Sequence, residues 1–155
     1  MICHETLVIF SQTWAHFSFF VLFLARHGHA FEVCKFLMNK MTNKNPGSLR
    51  KWTPLHMAAM VGSLNISKLI IQNIENKNPA DSNGRTPLHD AARFNHLEIF
   101  KLLIENTSDK NPADRTGCTP LHYAAEGGSF KVCKLIMKHL EDKNPPNISG
   151  VGGGG

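Results

Sequence analysis

Three histidines, His56, His89 and His122, recur 33 residues apart, and each follows the same three residues, Thr-Pro-Leu. Imidazole is the side chain best suited to proton transfer and metal ligation near neutral pH, so a repeated His invites both readings. Geometry opposes a shared site. Metal ligands must lie about 2.0–2.1 Å from one ion, whereas stacked helical units hold equivalent residues roughly 8–10 Å apart. Each ring is instead expected to bond locally, near the N-terminus of a helix. Cys118 and His122 resemble a Cys–His pair, but no third residue is identifiable to orient the base, as an activated nucleophile requires. The four cysteines, Cys3, Cys34, Cys118 and Cys133, contain neither a CxxC pair nor a zinc-ligand spacing. The expectation is therefore no catalytic residue, no metal ligand and no cofactor, with free thiols in a reducing compartment.

The elements that carry these histidines follow from the period. Thr53-Pro54-Leu55-His56, Thr86-Pro87-Leu88-His89 and Thr119-Pro120-Leu121-His122 form one marker, and Lys-Asn-Pro at 44–46, 77–79, 110–112 and 143–145 forms a second on the same 33-residue spacing. Thr can cap a helix by accepting from a free N–H, and Pro at the first helical position gives up no hydrogen bond. Each helix then crosses an Ala pair, Ala58-Ala59, Ala91-Ala92 or Ala124-Ala125, and is expected to end near Gly62, Asn95 or Gly128, residues tolerant of positive φ. A second helix follows, with Ile66/Leu69/Ile70, Ile99/Leu102/Leu103 and Val132/Leu135/Ile136 at i, i+3, i+4 spacing. Asp81-Ser82-Asn83-Gly84 and Asp114-Arg115-Thr116-Gly117 are turn sequences between the hairpins. One hairpin cannot bury its apolar stripe, whereas three or more stacked hairpins can.

Composition sets the outer bounds. The 155 residues are 42% apolar and 19% charged, which suits one folded domain and excludes an acidic disordered chain. The net charge is +5, from 17 basic and 12 acidic residues, and the pI is near 9.2. Most of the excess lies in one stretch: residues 41–73 hold Lys44, Arg50, Lys51 and Lys68 with no acid, a local +4. Lysines also recur with the period, at 44, 77, 110 and 143 in the loops and at 35, 68, 101 and 134 on the second helices, and are expected to be solvated. Residues 6–25 are 20 positions without Asp, Glu, Lys or Arg, 14 of them apolar. That segment is read as an N-terminal cap over the repeats, with a membrane anchor as the alternative.

On these markers the chain resembles an ankyrin-repeat protein, whose signature is a 33-residue unit with T-P-L-H-x-A. The resemblance covers Ala25 to about Asn147. It implies an all-α solenoid of stacked helix-turn-helix units with β-turn fingers. The organisation expected is an apolar segment 1–24, an ankyrin-repeat domain 25–148 and a Gly-rich tail 149–155. Within the domain lie a degenerate unit 25–47 and repeats 48–80, 81–113 and 114–146. The chain departs from the family at Ser48 and Lys51, which replace the turn Asp and Gly and so imply a distorted or strained first finger. It departs again at Met41, Ile74, Thr107 and Leu140, where the family often closes the second helix with Gly.

The resemblance places partner binding on the concave side, at the finger tips and the variable positions of the first helices. Carried onto this sequence, that surface is Arg50, Lys51, Trp52, Met57 and Met60, then Arg85, Asp90, Arg93 and Phe94, then Tyr123 and Glu126. Trp52 and the methionines beside Arg50 have the mixture of apolar anchor and Arg that interface hot spots favour; the competing reading has them covered by the N-terminal segment. The function expected is a non-enzymatic, cytoplasmic scaffold or adaptor whose protein partner has an acidic patch. The alternatives are a membrane-tethered adaptor anchored by residues 6–25 and, less favoured, a nucleic-acid accessory module using the Arg50/Lys51/Trp52 finger. No small-molecule substrate is expected.

Overall fold

A computed structural model describes residues 30–40 and 47–141. They form seven helices: α1 (Ala30–Lys40), α2 (Pro54–Val61), α3 (Leu64–Asn73), α4 (Pro87–Arg93), α5 (Leu97–Glu105), α6 (Pro120–Glu126) and α7 (Phe130–Glu141). No strand occurs among the described residues. The pairs α2/α3, α4/α5 and α6/α7 are three hairpins, and α1 packs on α3 as the second helix of an earlier unit. The fold is the all-α repeat solenoid that the period implies. The apolar segment 1–24, the first half of the degenerate unit and the tail 149–155 lie outside the described residues.

Each first helix begins as its sequence dictates. Thr53, Thr86 and Thr119 hold extended backbone at the N-cap, with φ of −106°, −115° and −104°, and Pro follows at the first helical position. The ends fall on one column of left-handed residues, Gly62 at φ 87°, Asn95 at φ 60° and Gly128 at φ 65°. Glycine at 62 is also demanded by space, because a Cβ there would lie 2.4 Å from the His96 ring.

The core is the column set of the repeat. Leu55, Leu88, Ile66, Ile70, Ile99, Leu103, Val132 and Ile136 are all buried, each contributing roughly 1.5–3 kcal/mol of side-chain transfer. Ala58, Ala59, Ala91 and Ala92 are fully buried too, and having no side chain beyond Cβ they let α2, α4 and α6 approach closely. These first helices pack on one another more closely than α3, α5 and α7 do, which sets the first helices on the inner side of the stack.

The second helices α3 and α5 end without the glycine closure, in keeping with the departure at Ile74 and Thr107. Ile74, after α3, is extended at φ −122°, ψ 152°, so no left-handed residue closes that helix. Its free carbonyls are met from the following loop. Lys77 Nζ donates to the carbonyls of Ile71 and Ile74, and Lys110 Nζ donates to those of Ile104 and, at 3.3 Å, Thr107. The loop lysines at these two positions are therefore half-buried helix caps, where solvated charges were expected. An ammonium at a helix C-terminus also complements the macrodipole. Replacing Lys77 by Met, which keeps the stem and removes the donor, should lower the unfolding free energy in urea by about 1 kcal/mol, while Lys68→Met on the exposed face of α3 should leave it unchanged.

Candidate partner-binding face

The fingers are built on a carboxylate that folds its own turn. Asp81 Oδ1 accepts from the N–H groups of Asn83 (2.7 Å) and Arg85 (2.9 Å), and Asp114 Oδ1 accepts from those of Thr116 (2.8 Å) and Cys118 (3.0 Å). Gly84 and Gly117 supply the positive φ, at 79° and 84°. In the first finger Ser48 Oγ accepts from the Trp52 N–H at 3.1 Å, and Lys51 occupies the glycine position at φ 56°. That finger keeps the turn of the others, with a strain of about 1–2 kcal/mol at Lys51. Neighbouring fingers are joined through backbone: the Ser82 N–H donates to the Arg50 carbonyl and the Arg115 N–H to the Asn83 carbonyl, both at 2.9 Å.

The repeated histidines bond locally, as expected, and also across the repeat boundary. His56 Nδ1 accepts from the Thr53 N–H (3.2 Å) and hydroxyl (2.9 Å), while Nε2–H donates to the Arg85 carbonyl of the next finger at 3.1 Å. His89 does the same with Thr86 and with the Cys118 carbonyl, at 3.2 Å. A ring that accepts at Nδ1 and donates at Nε2 must be neutral. Burial accordingly drives the His56 pKa down to about 4, against a smaller opposing pull from the Arg85 carbonyl and the Asp81 charge, and it lowers His89 as well. His122 keeps its Thr119 bonds but is exposed, α6 being the last first helix among the described residues.

Above this frame lie two aromatic–arginine clusters. The Trp52 indole stacks parallel to His56 at 6.3 Å and donates Nε1–H to Asp81 Oδ2 at 2.9 Å. The Arg85 guanidinium is 6.0 Å from the indole centroid, with Nε 3.3 Å from Asp81. In the second cluster Arg93 lies 5.9 Å from the Tyr123 ring and pairs with Glu126 at 2.9 Å. Tyr123 meets His89 edge-on at 5.1 Å and donates its hydroxyl to Asp114 Oδ2 at 2.9 Å. Trp52 is half-buried, Met57 is buried in the core, and Met60 packs half-buried against it. Arg50, Lys51 and Phe94 are exposed, as is Leu49 at the first finger tip. Residues that would cover Trp52 from the N-terminal segment lie outside the described part.

The carboxylates of this face differ sharply. Burial raises the Asp114 pKa, but the hydroxyls of Thr116 and Tyr123 and two backbone N–H groups outweigh it and bring the carboxyl down to about 2. Asp81 is lowered on the same balance by Arg85, Trp52 and Asn83. Asp90 moves the other way, pushed up to about 7 by burial that Arg85 and Arg93 offset only in part, with Asp81 adding to the rise. On the opposite side, Lys101 pairs with Glu98 at 2.8 Å, and Lys134 lines an open groove of about 530 Å³ with Leu97 and Leu135. Among the described residues, no three His, Cys, Asp or Glu side chains are grouped to hold a metal ion, and no helix is long and apolar enough to cross a membrane. The 6–25 stretch lies outside that comparison.

The neutral histidines link stability to pH. Between about pH 4 and His56's ordinary value of 6.5, the unfolded chain binds a proton that the folded chain refuses. Stability is therefore full above that range and lost as pH falls through it. Asp90 has the opposite slope, since its folded carboxyl holds a proton up to about pH 7. In an Asp90→Asn variant, which removes that opposing group, the unfolding free energy should fall by on the order of 2–3 kcal/mol between pH 7 and pH 4.5. Adding His56→Gln should abolish most of this fall, as read by urea titration at each pH.

Comparison with known proteins agrees with the architecture. A family model described as ankyrin repeats (three copies) matches residues 21–114, and one described as ankyrin repeat matches residues 116–149. A search of curated proteins found no match to this chain. The two matched spans cover most of the sequence, and the chain belongs to the ankyrin-repeat family.

Proposed function

We propose that this chain is a non-enzymatic adaptor that binds a protein partner through the concave face formed by its fingers and first helices. Ankyrin repeats are generally protein–protein interaction modules. The observation that carries the reading to this face is the pair of arginines held against aromatic rings, Arg85 with Trp52 and Arg93 with Tyr123. Arginine and aromatic side chains dominate interface hot spots, and a guanidinium already oriented loses less freedom on binding. The exposed Leu49 and Phe94 add apolar area that water solvates poorly. The first finger, with Arg50 and Lys51 exposed in the acid-free stretch 41–73, favours an acidic group on the partner at that end. The thiols Cys34, Cys118 and Cys133 are free, which supports the expected cytoplasmic setting.

Affinity purification with quantitative mass spectrometry tests this reading. The full chain is compared with a concave variant, Leu49→Ser with Phe94→Ser and Arg93→Ala, and with a convex variant, Lys68→Ala with Lys134→Ala. Partners recovered with the full chain should fall at least tenfold with the concave variant and persist with the convex one. The reverse pattern would place the binding surface on the outer helices.

A further inference from the structure

Of the concave carboxylates, Asp90 alone has a buried oxygen left without a partner. Asp81 accepts from two backbone N–H groups, the Trp52 indole and Arg85; Asp114 from two N–H groups and two hydroxyls; Glu126 from Arg93. Asp90 is only 6% exposed, and its Oδ2 is buried with no hydrogen bond at all. Two guanidiniums act on it electrostatically, yet both make their hydrogen bonds elsewhere, Arg85 to Asp81 and Arg93 to Glu126. In the repeat register Asp90 stands between the buried Met57 and Tyr123, so the neighbouring units place a thioether and a phenol at the equivalent positions. An unpartnered buried acceptor is costly, and native structures keep few of them without a use.

We infer that Asp90 is the specificity-determining carboxyl of the concave face and receives a lysine or arginine side chain of the protein partner. The inference rests on the reading that this face binds a protein, and it names the chemistry at the face's centre. A cation suits this position because Arg85 is paired with Asp81 and Arg93 with Glu126, which leaves the buried Asp90 oxygen as the acceptor still without a partner. A partner suited to both features carries an acidic group over Arg50 and Lys51 and a basic group about one repeat away.

Binding of this kind is linked to protons. Burial keeps Asp90 partly protonated near pH 7, so an arriving cation must release that proton. The other groups around Asp90 hold their charge through this range. Asp81 and Asp114 are lowered and stay ionised, His56 is lowered to about 4 and stays neutral, His89 is lowered by burial as well, Tyr123 is raised and stays neutral, and Arg85 stays charged. Affinity should therefore drop about tenfold from pH 8 to pH 6. An acidic group at the same place would take up a proton and give the opposite slope.

The test uses a random 12-residue peptide library selected on the full chain, on Asp90→Asn and on Glu98→Gln, a carboxylate on the opposite side. Peptides selected by the full chain and by Glu98→Gln should share a Lys or Arg at one position. Asp90→Asn should lose that enrichment and bind the selected peptides at least tenfold more weakly. Peptides that bind the concave face, as judged by loss with Phe94→Ser, but show no basic residue would overturn the inference and leave the proposed function standing. Peptides indifferent to Phe94→Ser, Arg93→Ala and Asp90→Asn alike would overturn both. A second readout needs no ligand: Asp90→Asn should melt at or above the wild-type temperature at pH 8, whereas a clear drop would make Asp90 a structural residue and refute the assignment.

Discussion

A neutral imidazole with one fixed tautomer ties each repeat to the next. Its Nδ1 accepts from the Thr that opens its own helix, and its Nε2–H reaches the carbonyl of the following finger, Arg85 for His56 and Cys118 for His89. One ring thus fixes a helix N-terminus and positions the adjacent turn. The finger has its own internal lock in the Asp carboxylate, so the histidine joins two pre-folded pieces. Buried Ala pairs then let the first helices close up, and the inner face follows.

The same constraint explains why the face has its particular chemistry. Once the finger is pinned, Asp81 points its second oxygen at the Trp52 indole, and Asp114 points its own at Tyr123. The aromatic rings are thereby held in place, and Arg85 and Arg93 lie beside them. The groups proposed for recognition are held by bonds that serve the fold first. Asp90 is outside that economy, because no finger or helix N–H reaches its buried oxygen. Under the proposed function, that unpartnered oxygen is accounted for by what binds.

Much of this was legible in the sequence because repetition multiplies weak signals. A single Thr-Pro start or Ala pair says little, but three copies in register identify a helix, its cap and its stacking face. The left-handed column at Gly62, Asn95 and Gly128 was readable for the same reason. The carry-over of binding positions was coarser, since Met57 is in the core while Phe94 is exposed. Two features escaped. The cross-repeat histidine bond joins residues 29 positions apart and leaves no local pattern. The lysine caps were visible as a ladder, yet composition alone reads surface lysines as solvated, and only the bend of the loop shows Lys77 and Lys110 reaching back to helix carbonyls.

The proposed interaction chemistry is carried by a scaffold whose cohesion depends on His56 and His89 being neutral. Long-range nitrogen-15 NMR of the imidazole rings reads that dependence directly. His56 and His89 should both be neutral Nε2–H tautomers at pH 7, with His56 resisting protonation until about pH 4. An Nδ1–H tautomer at either residue, or titration of His56 near its ordinary value of 6.5, would contradict it.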